Sequence, residues 1–568
     1  MNLKKTTFLL ATLAGLLACS PKSDPDAAVD ATPQPQPASS AAAVAMPDAF
    51  AAQVAADVLG SGGNAVDAAV AVGFSLAVTL PEAGNIGGGG FMLIHSGGES
   101  HFVDYRETAP LAAHRDMYLD EDGNVVDGAS TTGHLSAGVP GTVSGLWEAH
   151  QRFGSMPWAD LVAPAVALAG DGFIVPQELA GNIKSSMRRT DGKTNFRKYF
   201  GSAKAGELFV QPELAATLQR IAERGPDGFY KGETADQIVA EMARGNGIIS
   251  YEDLANYKAV WRAPLVSNWR GMQLLSSPPP SSGGFAIVQL LKIKDLLAHE
   301  FEGLDHNSPQ YVHLIAEIEK RVFADRAEYL GDPDYVDVPL AKLLSEDYLA
   351  QRAAEVSIDE ISPVLDVRPG LESYDTTHYS IIDADGNAVS NTYTLNLSFG
   401  SGVIVEGGGF LLNDEMDDFS VKPGVPNAYG VVGSKANEIQ PGKRMLSSMS
   451  PTILLRDGEV ELVVGTPGGS TIFTSVFQSI VNVYDFDMTP AEAVGASRFH
   501  HQLLPADVIV YSPKVPLPES TVSALSDMGY KPRPHGYSFG DLQMILRQGG
   551  EVDAASDPRK RGESRVLD

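Results

Sequence analysis

Thr376-Thr377-His378-Tyr379-Ser380-Ile381-Ile382-Asp383 is followed by Ala384-Asp385-Gly386-Asn387 and then by Ala388 to Asn396. Two runs rich in β-branched and aromatic residues thus flank Asp385-Gly386. Asp-Gly between such runs predicts a β-hairpin. A two-residue turn at Asp385-Gly386 sets Thr376 opposite Leu395, and a single bulge brings Thr394 opposite Thr376. Two threonine hydroxyls then meet at the open end of the hairpin. Threonine is also simply a good strand residue, so the pair gains chemical meaning only from what surrounds it.

A second loop supplies such surroundings. Glu461 to Gly465 reads as a strand, Thr466-Pro467-Gly468-Gly469-Ser470 as a turn, and Thr471 as the start of a helix. Glycines there let backbone N–H groups point outward at a helix N-terminus, which suits an oxyanion. Further strands are predicted at 378–383, 388–396, 402–405, 451–455, 460–464 and 507–511. Before the hairpin the texture is helical. Helical spacing marks Asp48 to Leu59, and residues 141–370 read mostly as helices, with Pro212 to Ala222 and Gln310 to Ala327 the clearest. Asn64 to Leu80 is apolar nearly all round, but it is short and carries Asp67, so it reads as a buried helix and not a membrane span. Gly87-Gly88-Gly89-Gly90 follows that helix and opens the strand Phe91 to Ile94. A dinucleotide loop has the opposite order, so the run reads as tight backbone passage through a core. Pro278-Pro279-Pro280 and Gly283-Gly284 interrupt the helical region. Helices first and strands later predict an α+β fold of layered helices and sheets.

The chain has 568 residues, of which 43% are hydrophobic, enough for a large core. Its formal net charge is −29, and its longest basic run is Arg559-Lys560-Arg561. Such a chain repels phosphate backbones, which argues against a nucleic-acid partner. Cys19 is the single cysteine, so no intrachain disulfide and no cysteine-based metal site can form. His500-His501 is the one histidine pair, and neighbours on an extended chain point to opposite faces. No metal and no cofactor is expected. Gly536-Tyr537-Ser538-Phe539-Gly540 matches a serine-hydrolase elbow in letters only. Prolines precede it, a strand follows it, and no histidine lies beyond it.

Lys4-Lys5 and the apolar run Phe8 to Ala18 form a secretory signal, and Leu16-Leu17-Ala18-Cys19 resembles a bacterial lipobox. An ordinary signal peptide cut near the same place is the alternative. Ser20 after Cys19 is similar to the pattern of outer-membrane lipoproteins. Residues 1–19 are therefore expected to be a lipoprotein signal ending at Cys19. Residues 20–43, rich in Pro and Ala, read as a flexible tether.

The pieces also occur in one order. Gly62-Gly63-Asn64-Ala65-Val66-Asp67, Gly84-Asn85-Ile86-Gly87-Gly88-Gly89-Gly90-Phe91-Met92 and Asp104-Tyr105-Arg106-Glu107 precede the hairpin. Thr376-Thr377-His378-Tyr379-Ser380, Tyr393-Thr394-Leu395-Asn396, Met416-Asp417-Asp418-Phe419-Ser420, Leu446-Ser447-Ser448-Met449-Ser450-Pro451-Thr452 and Gly465-Thr466-Pro467-Gly468-Gly469 follow. Arg498-Phe499-His500-His501-Gln502 and Ala555-Ser556-Asp557-Pro558-Arg559 close the series. Together they resemble the γ-glutamyltransferase (γ-glutamyltranspeptidase) family of N-terminal-nucleophile hydrolases, over roughly 44 to 560.

The resemblance implies a four-layer αββα sandwich built from two self-processed chains, 44–375 and 376–568, that stay together as a heterodimer. Cleavage would fall between Asp375 and Thr376. Thr376 would be the nucleophile with its own α-amine as base, Thr394 its hydrogen-bonding partner, and Gly468 and Gly469 the oxyanion donors. Glutathione and other γ-glutamyl compounds would be donors, and water, amino acids or dipeptides acceptors. The substrate's far end is a zwitterion. Arg106, Ser447 and Ser448 would take its α-carboxylate. Asn396, Glu415 and Asp418 would take its α-ammonium. Glu415 stands where some relatives have Gln. Met445 stands where relatives often have Pro, which predicts a looser loop around the two serines. Pro423 to Lys443, with Tyr429, resembles the lid of bacterial relatives. Two other readings stay open: an acylase for glutaryl side chains, as on cephalosporins, and a lipoprotein that binds γ-glutamyl peptides without turnover. The expected location is periplasm-facing, with membrane attachment only through the lipid on Cys19.

Overall fold

The computed structural model describes residues 41–363, 376–422 and 434–567. Cys19, Asp375, Tyr429, the signal, nearly all of the tether and most of the lid segment lie outside the described residues. Among the described residues no helix is long and apolar enough to cross a membrane.

Two antiparallel sheets lie face to face. The strands that build them are β1 (Ala42–Met46), β2 (Gly89–Ser96), β3 (Glu99–Asp104), β4 (Val260–Arg262), β5 (Leu265–Trp269), β6 (Met272–Ser276), β7 (Thr376–Ile382), β8 (Ala388–Thr394), β9 (Thr452–Arg456), β10 (Glu459–Gly465), β11 (Gln543–Gln548), β12 (Glu551–Ser556) and β13 (Glu563–Leu567). One sheet has the order β13-β1-β7-β8-β2-β3-β4, the other β12-β11-β10-β9-β6-β5.

Alternation along the strands makes three cores from two sheets. Ala43, Ala45, Phe91, Leu93, Ile382, Ile453, Val463 and Ile545 fill the space between the sheets. On the outer face of the first sheet, Val44, Met92, Tyr379, Ile381 and Tyr393 pack against helices α1 (Ala49–Gly60), α2 (Ala65–Thr79), α3 (Thr142–Phe153) and α4 (Trp158–Asp171). On the outer face of the second, Leu274, Leu454, Leu462 and Met544 pack against α5 (Gly283–Leu296), α6 (Pro309–Tyr329) and α7 (Thr471–Phe486). This is the four-layer αββα arrangement.

Several boundaries move. Strand β1 starts at Ala42, so Ala42 and Ala43, read as tether, belong to the sheet. Both pair with β13, and Ala43, which also pairs with β7, packs in the core between the two sheets. Strands β4, β5 and β6 lie inside the region read as helical. Residues 402–405 form no strand. Gly400 and Gly402 have φ of 53° and 72°, and only an Ile404–Leu411 bridge forms. Of 507–511 only Val510–Tyr511 is extended, because Asp507 takes a φ of 64°. Both sheets thus draw strands from before and after Asp375, and the helix-first, strand-later texture is only an average.

Three histidines that follow Thr376 in the chain are buried. Burial lowers His378 and His501 to about 3 and His500 to about 4, against an ordinary value of 6.5. Each is neutral when folded and gains a proton only on unfolding. Stability from each is therefore full above about pH 6.5 and falls below it, by up to about 1.4 kcal/mol per pH unit. His378 bonds Thr392 Oγ1 at 2.8 Å and Ser380 Oγ at 3.1 Å. The expected result is a smaller drop in urea midpoint between pH 7 and pH 5 for His378→Gln than for the unmodified protein. An equal drop would show that His378 is not held neutral.

Candidate active site

Asp383 to Asn387 join β7 to β8, and the pair Asp383/Asn387 closes a turn of three residues, Ala384 to Gly386, not two. Asp383 N donates to Asn387 O, Gly386 N donates to Asp383 O, and Gly386 takes a φ of 83°. Asp383 Oδ1 accepts from Asp385 N and Asn387 N. The longer turn shifts the register by one. Thr376 then pairs directly with Thr394 and no bulge is needed. A one-residue slip would have turned one of them to the other face. Both hydroxyls face the space between the sheets, with Thr376 Oγ1 donating to Thr394 Oγ1 at 3.3 Å. Thr394 Oγ1 also accepts from Asn396 N at 2.8 Å.

The glycine run makes the floor. Gly89 pairs with Thr394 across β2 and β8. A Cβ on Gly88 would lie 2.1 Å from the carbonyl oxygen of Thr394. Backbone therefore passes where no side chain fits, as the order of elements predicted. Asn85 ties this floor to the hairpin: its Nδ2 donates to Thr394 O at 2.8 Å, and its Oδ1 accepts from Gly88 N and Thr142 Oγ1. Sequence reasoning quoted Asn85 but gave it no role.

Thr376 stands at the lip of a narrow cleft that Thr394, Asn396, Gly469, Ser447, Ser448, Met449, Arg106, Glu415 and Asp418 also line. Gly468 and Gly469 precede α7 with φ of 139° and 55°, a backbone that favours glycine. Gly468 O accepts from Thr471 N and Oγ1, which fixes the turn. Among the described residues neither glycine N–H donates a hydrogen bond. Asn396 takes a φ of 78°, and its Nδ2 donates to Asp414 O at 3.0 Å. Strained polar residues of this kind cluster at functional sites.

The far end of the cleft is charged. Arg106 is fully buried. Its Nη1 donates to Glu415 Oε1 and its Nη2 to Asp418 Oδ2, while Glu107 Oε2 lies 3.6 Å from Nη1. Sequence reasoning assigned Arg106 and the acids to opposite ends of a zwitterion, and the structure brings them into one cluster. Burial, the largest effect, raises Glu107 to about 8 and also raises Glu415 and Asp418, against the lowering effect of Arg106. Arg106 itself is held protonated: its acidic neighbours outweigh the burial that opposes its charge. Such a cluster presents both a cation and anions to one small ligand.

The serine loop is firmly held. Ser447 N donates to Pro280 O at 2.9 Å, and Ser447 Oγ accepts from Met449 N at 3.1 Å. Arg444 N donates to Asp332 Oδ2 and Leu446 N to Asn437 Oδ1. Met445 is buried between these anchors, so the expected loosening does not occur. Asn437 Nδ2 also donates to the backbone Asp418 O at 2.7 Å, so this loop holds the residue that carries an acid of the cleft. Nothing in the sequence singled out Asn437. The Gly-x-Ser-x-Gly match stands before β11 and has no helix after it, which removes it as a nucleophile elbow.

Comparison with known proteins agrees with this geometry. Residues 51–567 match the family described as Gamma-glutamyltranspeptidase. A glutathione hydrolase proenzyme of Pseudomonas aeruginosa is 58% identical over 525 residues, which is 92% of this chain and 94% of that protein. The glutathione hydrolase proenzyme of Escherichia coli is 48% identical over 526 residues, 91% of this chain and 90% of that protein. The crystal structure of a cephalosporin acylase from Bacillus halodurans superposes with a TM-score of 0.80 at 26% identity, covering 97% of this chain and 99% of that one. A γ-glutamyltranspeptidase from Pseudomonas nitroreducens complexed with L-DON gives 0.55 at 54% identity, covering 56% of this chain and 94% of that one. The threonine pair, the glycine turn and the charged cleft therefore sit in a chain that belongs to the γ-glutamyltranspeptidase family.

Proposed function

We propose that this chain cuts itself between Asp375 and Thr376 and then acts as a glutathione hydrolase and γ-glutamyltransferase. The observation that carries the reading is Thr376 at the lip of a cleft whose other end holds Arg106 among Glu415 and Asp418. In the uncut chain Thr376 Oγ1 attacks the Asp375 carbonyl and displaces the Thr376 nitrogen. Water then hydrolyses the resulting ester. The new α-amine titrates near about 8 and takes the proton from Oγ1. Oγ1 attacks the γ-carbonyl of the donor, and the Gly468 and Gly469 N–H groups hold the oxyanion. The leaving amine takes the proton, and the ester on Thr376 passes to water or to an acceptor amine. Thr394 orients Oγ1. Arg106, Ser447 and Ser448 hold the α-carboxylate, and Asn396, Glu415 and Asp418 the α-ammonium. No cofactor takes part.

The two products, about 19–375 and 376–568, remain one heterodimer because both sheets draw strands from both parts. The solved γ-glutamyltranspeptidase chain that matches 56% of this one has the share expected of a large subunit ending before Thr376. Export and a lipid on Cys19 complete the reading and place the enzyme facing the periplasm.

The superposition on a cephalosporin acylase favours a second reading, a glutaryl acylase. Glutaryl lacks the α-ammonium, so a glutaryl site has no use for Glu415, Asp418 and Asn396 together. Hydrolysis of γ-glutamyl anilide is expected to exceed that of glutaryl anilide at least about 100-fold in kcat/KM, as for a lost charged contact. A glutaryl preference would overturn the assignment, and binding without turnover would leave only a binding protein.

A further inference from the structure

Arg106 is already engaged with Glu415 and Asp418 and has Glu107 at 3.6 Å. A substrate α-carboxylate would add a fourth carboxyl group to one guanidinium. The cleft therefore calls for a second cation on the side of the serine pair. Arg326, near the C-terminal end of α6, is 4% exposed. Its Nη2 donates to Ser448 Oγ at 3.0 Å and its Nε to Ser282 Oγ at 2.9 Å. Ser282 in turn donates to Ser447 O twice, from its N and from its Oγ, both at 2.8 Å. Ser281 Oγ donates to Met449 O at 2.7 Å. The Pro/Gly-rich interruption before α5 thus forms a cradle for the serine loop, and one planar guanidinium braces both. Other buried charges of the same helix bond elsewhere. Lys320 and Arg321 bind Glu317, and Asp325 accepts from Gln289, Tyr348 and Arg352.

We propose that Arg326 is a positioning residue for the substrate α-carboxylate: it fixes the Ser448 hydroxyl and sets a second positive charge behind the serine pair. The inference rests on the γ-glutamyl reading above. A hydroxyl that accepts from a guanidinium turns its own O–H away from it, and in the occupied cleft that O–H donates a hydrogen bond to the carboxylate. The planar fork reaches Ser448 and Ser282 at once, which an ammonium cannot do. Asp418 also feels this cation: burial raises it most, while Arg106 and then Arg326 pull it down.

The test uses purified, self-processed enzyme and three anilides. γ-Glutamyl carries both charges, glutaryl only the carboxylate, and 4-aminobutyryl only the ammonium. Arg326→Met is expected to raise KM for γ-glutamyl anilide about tenfold with kcat within about threefold. Glutaryl anilide should lose a similar factor in kcat/KM, and 4-aminobutyryl anilide less than about twofold. Arg326→Lys should fall between. Arg326→Met with Ser448→Ala should lose little more than the larger single loss, since the two act as one unit. Equal losses on all three anilides, or additive losses in the double variant, overturn the proposal. Ser282→Ala keeps Arg326 and removes its Nε acceptor together with the Oγ bond to Ser447 O, while the Ser282 N bond to Ser447 O stays. It should raise KM about two- to fivefold in the same carboxylate-selective way, and it decides the matter if Arg326→Met does not fold. An unmodified enzyme that ignores γ-glutamyl anilide would instead overturn the functional reading itself.

Discussion

Thr376→Ala is expected to yield one uncut chain and to lower kcat/KM for a γ-glutamyl anilide by about 10⁴-fold or more. No neighbouring hydroxyl can replace it. Thr377 is buried and pairs with Tyr393, whose ring lies in the core against the helices, so its side chain faces away from the cleft. Thr394 Oγ1 is close, at 3.3 Å, but it lies inside the chain and cannot acquire a terminal amine as its base. Thr376→Ser keeps an Oγ and should still cut and turn over. A denaturing gel, N-terminal sequencing of the smaller band and a rate assay check all of this. A Thr376→Ala protein that still splits before residue 376 would place the nucleophile elsewhere.

Arg106→Met should lower stability by about 3–5 kcal/mol, the usual cost of leaving buried charge without its partner. It should also lower kcat/KM by about 10³-fold or more, through substrate binding. Glu107, Glu415 and Asp418 all lose their cation at once. Their escape is protonation. Burial already raises Glu107 to about 8, and without the guanidinium all three rise further. A carboxyl whose folded value is raised contributes stability below that value and loses it as pH rises through it. The loss in Arg106→Met should therefore be smaller at pH 6 than at pH 8. Urea unfolding at both values, with rates on the soluble fraction, measures this. A variant as stable as the parent at pH 8 would mean that the acids are not charged in the folded protein.

Much of the site could be read along the chain. The hairpin, both threonines and the Gly468-Gly469 turn were found where strand texture meets Asp-Gly or a helix start. Local chemistry carries those signals, since turn residues and β-branched runs act within a few positions. Register was harder. Whether the loop at Asp385 spans two residues or three depends on side-chain bonds from Asp383, and that single residue decides whether Thr394 faces Thr376. Strands β4 to β6 escaped because they are short and sit among helices, and the outer partners of β4 and β6 lie far away at β3 and β9. Residues 402–405 misled in the other direction. Their apolar run is strand-like, but left-handed glycines on both sides prevent a ladder.

The sequence by itself determined the reacting end of this protein: the hairpin, its threonines, the glycine turn and the motif series of the family. Those features are local, so they are written in neighbouring residues. Only the tertiary structure decided how charge is arranged at the other end of the cleft. Arg106, Glu415, Arg326 and Ser448 come from segments far apart in the chain, and their pairing depends on burial. A buried charge takes whichever partner the packing brings within reach. No spacing along the chain records that Arg106 meets the acids, or that a helix 50 residues before the hairpin lends its arginine to the serine loop.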